Sequence, residues 1–419
     1  MTEVYFVNDT SSGLNWGSQA TTRCLRSLIE DNGGTITETS YKSSLRLPER
    51  KYNRQTITHS TGLFQEIVIN AIRRDPVAAY RSLNSIGDII PRSYDQFDEF
   101  AQMVLNSSAF TREVRAIESS DVVIINGEGL VYSSDDRCTR SLFFIAYLAK
   151  KYLNTNCVMT NHTLDISDEK LHKLVENIYP MLDDVVFREP VSARKYNHLC
   201  SNHSVSVDPG FAYDNIMDSD QLKRDIQTDK LNIRPYSRAI FNPSESYVCV
   251  AGNSIYSTKS EYKAEDYLNI CKELQKMTQN VLLVISAEAD ENLLVPVAEK
   301  LKLPIAGLHT SIPHSISLVA NADLYVGGRY HPTIFAAKGG IPIIPFEANT
   351  HKIQGVLEIL ELDIDIFNPF KINDNLSSIL SLAERYLSDP SEFRYLPQKI
   401  ENIAGNSKTN VNYIRDHRN

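Results

Sequence analysis

Three features that would narrow the function of this chain at once are scarce or missing: paired cysteines, long apolar runs and an excess of positive charge. The six cysteines (Cys24, Cys138, Cys157, Cys200, Cys249, Cys271) are scattered without CxxC spacing, mostly in apolar strands or helix faces. A thiol there behaves as a small hydrophobe, so the expectation is a reduced, cytoplasmic protein. The longest apolar runs, such as 141–149, are far too short to span a bilayer. No charged stretch followed by an apolar one opens the chain, so no signal peptide is expected. Lys and Arg number 43 against 52 Asp and Glu, a net charge of −9. That balance argues against nucleic acid, or an anionic membrane, as the main partner. It leaves room for a small anionic substrate held by a local cationic cluster. Missing too are the phosphate-loop pattern, the Gly-x-Gly-x-x-Gly dinucleotide pattern, the Gly-x-Ser-x-Gly elbow and any metal-ligand spacing.

What is present is alternation. The 419 residues suffice for two or three domains at roughly 100–200 residues each. Short apolar strands (4–7, 121–127, 157–160, 184–187, 203–207) alternate with helical patterns (18–30, 139–151, 168–178, 190–198). A second set begins at 247 and runs through 281–286, 304–308, 323–328 and 341–346, with a helix after each strand and a helical tail over 375–416. Alternation of this kind predicts parallel sheets covered on both faces. The expected architecture is therefore α/β: two Rossmann-like domains facing across a cleft. We place the first at 1–215, the second at 245–419, and a linker rich in Asp, Ser, Asn and Pro at 216–244. The polar stretch 40–110 reads as an insertion with helices at 64–73 and 94–106. Ligands of such sheets bind beyond the carboxyl ends of the strands, so the loops that follow strands carry the candidate chemistry.

The strongest of these junctions is Gly328-Arg329-Tyr330-His331-Pro332. Two glycines end a strand and would let the backbone approach a ligand. Pro332 suits the first turn of a helix, which would put His331 at the N-cap. The helix N-terminus, with about half a positive charge, and the Arg329 fork both suit phosphate or carboxylate. An imidazole beside them can exchange protons near neutral pH. A capping His with an Arg in a surface ion pair is the structural alternative. After the next strand come Asn349, Thr350, His351 and Lys352, with Asn349 or Thr350 as cap. Cations in a first turn are electrostatically misplaced unless an anion binds there. Arg188, in Phe187-Arg188-Glu189-Pro190, is placed to reach into the cleft, with Glu189 orienting it. Asn126-Gly127-Glu128-Gly129 sets one carboxylate between two glycines, where Glu128 could bond sugar hydroxyls or act as a base. The Asn15-Trp16-Gly17-Ser18-Gln19 loop carries the only tryptophan, able to stack on a sugar ring or to anchor the loop.

In their order along the chain, these segments resemble the polysaccharide pyruvyl transferases. Asp208-Pro209-Gly210, Gly252-Asn253-Ser254 and Ile353-x-Gly355 extend the resemblance, which spans positions 8 to 355. It implies a fold similar to that of GT-B-type glycosyltransferases, with the donor held by the C-terminal domain. It implies phosphoenolpyruvate as donor and a sugar hydroxyl pair as acceptor, giving a cyclic pyruvate ketal and phosphate. On that basis Arg329, Arg188, His351 and Lys352 are assigned to phosphoenolpyruvate. His331 and Arg329 are the catalytic pair, and Asn15, Trp16, Asn126 and Glu128 face the acceptor. No metal or cofactor is called for beyond the donor substrate. A saccharide or lipid-linked oligosaccharide is the expected acceptor, and a lipid-linked one would bring the protein to a membrane surface. A nucleotide-sugar glycosyltransferase and a non-catalytic glycan-binding relative are the rival readings.

Overall fold

A computed structural model describes residues 1–45, 90–106, 110–133, 136–231, 233–235, 241–255 and 264–416. The helix expected at 64–73 lies outside them.

The first sheet is six-stranded, in the order β2-β1-β3-β4-β5-β6, and every described pairing is parallel. Its strands are β1 (Thr2–Asp9), β2 (Gly34–Tyr41), β3 (Val122–Asn126), β4 (Asn156–His162), β5 (Asp184–Phe187) and β6 (His203–Val205). β3 is buried at every residue, as a strand covered on both faces must be. β2 was not foreseen. It is an edge strand, Gly-Thr-Ile-Thr-Glu-Thr-Ser-Tyr, with most positions partly or fully exposed. Such a strand needs little apolar pattern, and its threonines suit pleated geometry.

The second sheet runs β12-β11-β8-β9-β10-β7. It comprises β7 (Arg234–Pro235), β8 (Tyr247–Asn253), β9 (Asn280–Val284), β10 (Pro304–Ala306), β11 (Leu324–Gly328) and β12 (Ile343–Pro345). Only the edge pair β7–β10 is antiparallel. The linker expected at 216–244 is thus partly structured. The Ser219–Gln227 helix is capped by the Asp218 side chain and buries Leu222 in the second core, while β7 extends the second sheet. Polar spacing masked that helix, because little more than Leu222 and Asp225 is buried on it.

The tail also departs from its expected place. Val411 and Ile414 pack with Val4, Phe6 and Leu25 of the first domain, and Asn410 accepts a 2.8 Å bond from Thr160 Oγ1 of β4. The end of the chain therefore closes back over the first sheet. The two halves are joined a second time by Trp16, at the start of the Trp16–Asp31 helix. It is 1% exposed, packs against Phe335 of the second domain and donates from Nε1 to the Ile285 carbonyl at 3.1 Å. Trp16→Ala is expected to cost about 3–5 kcal/mol, the usual price of deleting a buried aromatic. The midpoint of urea unfolding reads that loss. An unfolding free energy within a few tenths of a kcal/mol of wild type would mean that Trp16 is not the anchor.

No helix among the described residues is long and apolar enough to cross a membrane. The six cysteines form no disulfide.

Candidate active site

The carboxyl ends of both sheets open into one cavity of about 450 Å³. Each wall is a loop that follows a strand. From the first domain come Thr10, Ser12 to Asn15 and Ser18 after β1, Lys42 after β2, Glu128 to Leu130 and Tyr132 after β3, Thr163 after β4 and Arg188 after β5. From the second come Ser254 after β8, Ser286 to Ala289 after β9, Arg329 to Pro332 after β11, and Asn349, Thr350 and Lys352 after β12. The strand order reverses between β1 and β3 in one sheet and between β8 and β11 in the other. Crevices form at such switch points because neighbouring crossovers leave in opposite directions.

His331 sits at the centre of this cavity's chemistry. It is 5% exposed, and its Nε2 lies 3.5 Å from Asp208 Oδ2 and 3.9 Å from Glu128 Oε1. Neither Nε2 nor Glu128 Oε2 has a hydrogen-bond partner among the described residues. Two carboxylates thus face Nε2 from the first domain. Gly17 packs against the other side of the ring: a Cβ there would fall 2.6 Å from the His331 Cβ. The first-domain loop can therefore close on the imidazole only because residue 17 has no side chain. His331 is not the N-cap. Arg329 occupies that position, and the helix runs Tyr330–Gly339 with Pro332 in its first turn. The glycines before it serve packing rather than ligand approach, since a Cβ on Gly328 would collide with the Asn253 amide of β8.

Asp208 organises the site although it was singled out only within a family segment. It is fully buried and accepts from Thr21 Oγ1 at 2.6 Å, the Gly210 amide at 2.8 Å and Arg188 Nη1 at 3.0 Å. Burial alone would raise its carboxyl, but His331, Arg188 and Thr21 outweigh that and hold it well below the usual carboxylate range. Glu128 behaves similarly. Burial pushes it up, and the charges of His331, Lys42 and Arg188 bring it below its ordinary value.

The arginines are positioned by partners that local sequence does not reveal. Arg188, 2% exposed, also donates from Nε to Thr163 at 3.1 Å and stacks 4.3 Å over the Tyr330 ring across the domain boundary. Arg329 donates from Nε and Nη2 to Asp290 Oδ1 at 3.0 and 2.7 Å. Asp290 in turn accepts from the Ser286 and Ala287 amides through Oδ2, at 2.9 and 3.0 Å. Each guanidinium has five N–H donors, so both keep donors free for a ligand. Lys352, partly buried, donates to Asn349 Oδ1 at 2.6 Å. Burial, with Arg188 and Arg329 adding repulsion, pushes its ammonium down to about 7. It is the first residue of the Lys352–Leu360 helix, whose N-cap is His351 rather than Asn349 or Thr350.

Three residues expected to face substrate do not line the cavity. His351 turns Nε2 to Ser192 Oγ at 3.0 Å and Glu189 Oε1 at 3.3 Å, while Nδ1 lies 3.3 Å from Lys195 Nζ and 3.8 Å from Asp165. Its ring joins the two domains. Glu189 caps the Pro190–Tyr196 helix through the Val191 and Ser192 amides and bonds His351; Arg188 takes its bonds from Asp208 and Thr163 instead. Trp16 is the buried anchor described above. Asn126, fully buried, donates to the Asn8 carbonyl and Thr22 and accepts from Asn161 and the Glu128 amide, so it braces the Glu128 loop. Asn15 does line the cavity, and its side chain also caps the first helix by accepting from Ser18 N at 3.1 Å. Lys42 lines it too. It follows β2, a strand without an apolar pattern to mark its end in the sequence.

A family model for polysaccharide pyruvyl transferase matches residues 15–349. Among curated proteins, none matches the chain in sequence. Several solved structures share the architecture over nearly its whole length. The S. aureus MnaA–UDP co-structure superposes with a TM-score of 0.52 at 12% identity, covering 98% of this chain and 97% of that one. UDP-GlcNAc 2-epimerase from Methanocaldococcus jannaschii gives 0.51 at 11%, covering 99% of each chain. Arabidopsis thaliana UGT89C1 complexed with quercetin gives 0.51 at 10%, covering 99% and 98%. At these identities the likeness establishes the fold: two Rossmann-like domains of the GT-B type.

Proposed function

Because the chain belongs to the polysaccharide pyruvyl transferase family, we propose that it transfers pyruvate from phosphoenolpyruvate to two hydroxyls of a saccharide, forming a ketal and releasing phosphate. The observation that carries this reading is the convergence of Arg188, Arg329 and Lys352 on one cavity around a histidine faced by two carboxylates. Phosphoenolpyruvate bears a carboxylate and a phosphate on one small carbon frame. The free guanidinium donors and the Lys352 ammonium match those charges, and the start of the Tyr330–Gly339 helix adds its dipole.

Each step then has a residue. His331 Nε2 delivers its proton to the methylene carbon, which leaves the adjacent carbon electrophilic. One acceptor hydroxyl oxygen bonds to that carbon, and Glu128 receives its proton. The bond to the phosphate oxygen breaks, phosphate departs with the electron pair, and the second hydroxyl closes the ketal. Of the two hydroxyl protons, one replaces that which His331 gave to carbon and the other leaves with phosphate. The cations offset the charge that gathers on phosphate as its bond breaks. Asn15, beside the cavity, is assigned to the acceptor, a free or lipid-linked saccharide. The reading asks for no metal or nucleotide cofactor.

The test is incubation with phosphoenolpyruvate and a panel of galactose-, glucose- and mannose-type acceptors, following phosphate release and product mass, with nucleotide sugars as a parallel arm. Turnover with nucleotide sugars and none with phosphoenolpyruvate would overturn the proposal in favour of a glycosyltransferase.

Lys352 sets an expected pH dependence. With the cavity empty its ammonium titrates near pH 7, so above that pH it is mostly neutral. A bound anion favours the charged form, so phosphoenolpyruvate binding should take up a proton at pH 8. Affinity should then fall as pH rises, by up to about tenfold per unit by linkage. Calorimetry at pH 8 in buffers of different ionisation enthalpy reads the uptake directly. It should vanish in Lys352→Met, and an unchanged uptake in that variant would assign it to another group.

A further inference from the structure

The cations of the cavity are not equivalent. Arg188 is tied to Asp208, Arg329 to Asp290, and Lys352 to Asn349. The Lys42 ammonium donates no hydrogen bond and joins no ion pair among the described residues. Its backbone, by contrast, is held. The Cys138 thiol contacts the Lys42 carbonyl at 3.8 Å, and Arg137 donates to the Leu45 carbonyl at the end of the same short helix. The ammonium lies over the Glu128–Gly129 turn, 3.6 Å from where a Gly129 Cβ would be. It is close enough to Glu128 to stabilise that carboxylate, yet it does not pair with it. It therefore stands on the first-domain wall with Asn15 and Glu128, across from Arg329 and Lys352.

We propose that Lys42 reads an anionic group, a carboxylate or a phosphate, on the acceptor saccharide, so that this wall selects acidic glycans over neutral ones. The inference rests on the transferase reading for the word acceptor, and on geometry for the charge. An ammonium held on a fixed backbone beside the reacting hydroxyls, with no hydrogen bond or ion pair among the described residues, is completed by an anion that arrives with the ligand. Two of the three cations assigned to the donor, Arg329 and Lys352, stand on the opposite wall. Lys42 also repels Lys352, and an anion between the two would relieve that repulsion.

The experiment measures binding, not turnover, on the full chain. Methyl β-glucuronide, methyl β-glucoside 6-phosphate and neutral methyl β-glucoside are titrated by calorimetry into wild type, Lys42→Ala and Lys42→Arg. Wild type should bind at least one charged glycoside about tenfold or more tightly than the neutral one, the worth of one charge-assisted hydrogen bond. The stronger charged arm identifies the anion. Lys42→Ala should remove the preference without weakening phosphoenolpyruvate binding or lowering the unfolding midpoint, while Lys42→Arg keeps most of it. Equal binding of charged and neutral glycosides by wild type, or no binding of any, overturns the proposal. So does an equal loss of phosphoenolpyruvate affinity in Lys42→Ala, which would put Lys42 in the donor site. A retained preference without phosphoenolpyruvate turnover would leave Lys42 standing and remove the transferase reading instead.

Discussion

Replacing His331 by asparagine is expected to lower kcat for pyruvyl transfer by about 10²- to 10⁴-fold, the range for loss of a positioned acid–base group. Asparagine keeps the Cβ that packs against Gly17 and offers an amide toward Asp208, so the loop and the carboxylate stay in place. What it loses is a proton to give. The dissociation constant for phosphoenolpyruvate should change by less than about tenfold, because Arg188, Arg329 and Lys352 remain. A fall in kcat and kcat/KM together is the mark of an interaction made only in the transition state. Stopped-flow binding and steady-state rates separate the two quantities. A variant that kept kcat and lost only donor affinity would make His331 a ligand for charge, and the acid would have to be sought elsewhere. The same profile in Glu128→Gln, with a smaller loss, is expected if Glu128 receives the hydroxyl proton.

The second large effect concerns stability. Arg188→Ala should destabilise the protein by about 3–5 kcal/mol, the cost of leaving a buried charge without its partner. Asp208 has no exposure and loses its 3.0 Å bond, and Tyr330 loses the guanidinium stacked 4.3 Å over its ring. Adding Asp208→Asn should recover part of the loss, because a neutral amide in the same place demands less. An additive double variant would mean that the two side chains do not act as a pair. The acid side of the stability curve supplies a further check. A carboxyl whose folded value is depressed contributes stability that is fully present above its unfolded value, about 4. That contribution is lost as pH falls through the folded value. Wild type should therefore lose stability below about pH 4 more steeply than the Asp208→Asn variant.

Strand and helix alternation made the fold legible, because apolar residues at period two and three to four repeat over short distances. The polar edge strand β2 and the helix inside the supposed linker escaped for the same reason: neither buries enough to leave a pattern. Among the site residues, the sequence alone determined that Arg329 and His331 follow a strand and open a helix, that Arg188 and Glu128 follow strands, and that the segment from Asn349 to Lys352 follows another. Those are statements about neighbours in the chain.

What only the tertiary structure decided is which of these side chains meet. Asp208 accepts from Thr21, 187 residues away, and from Arg188. Arg329 takes Asp290, and His351 is drawn off to Glu189 and Ser192, 159 residues from the latter. Trp16 reaches Ile285 over 269 residues and becomes a domain anchor, with no face left for a sugar. The physical reason is common to all. A buried polar group must find a partner, and the partner is whichever complementary atom the packed domains bring within about 3 Å. The Arg329–His331 junction could be read as a phosphate-like site from its own residues. That Asp208 and Glu128 face its imidazole, and that Lys42 lines the same cavity, follows from the carboxyl ends of two sheets opening on the same 450 Å³.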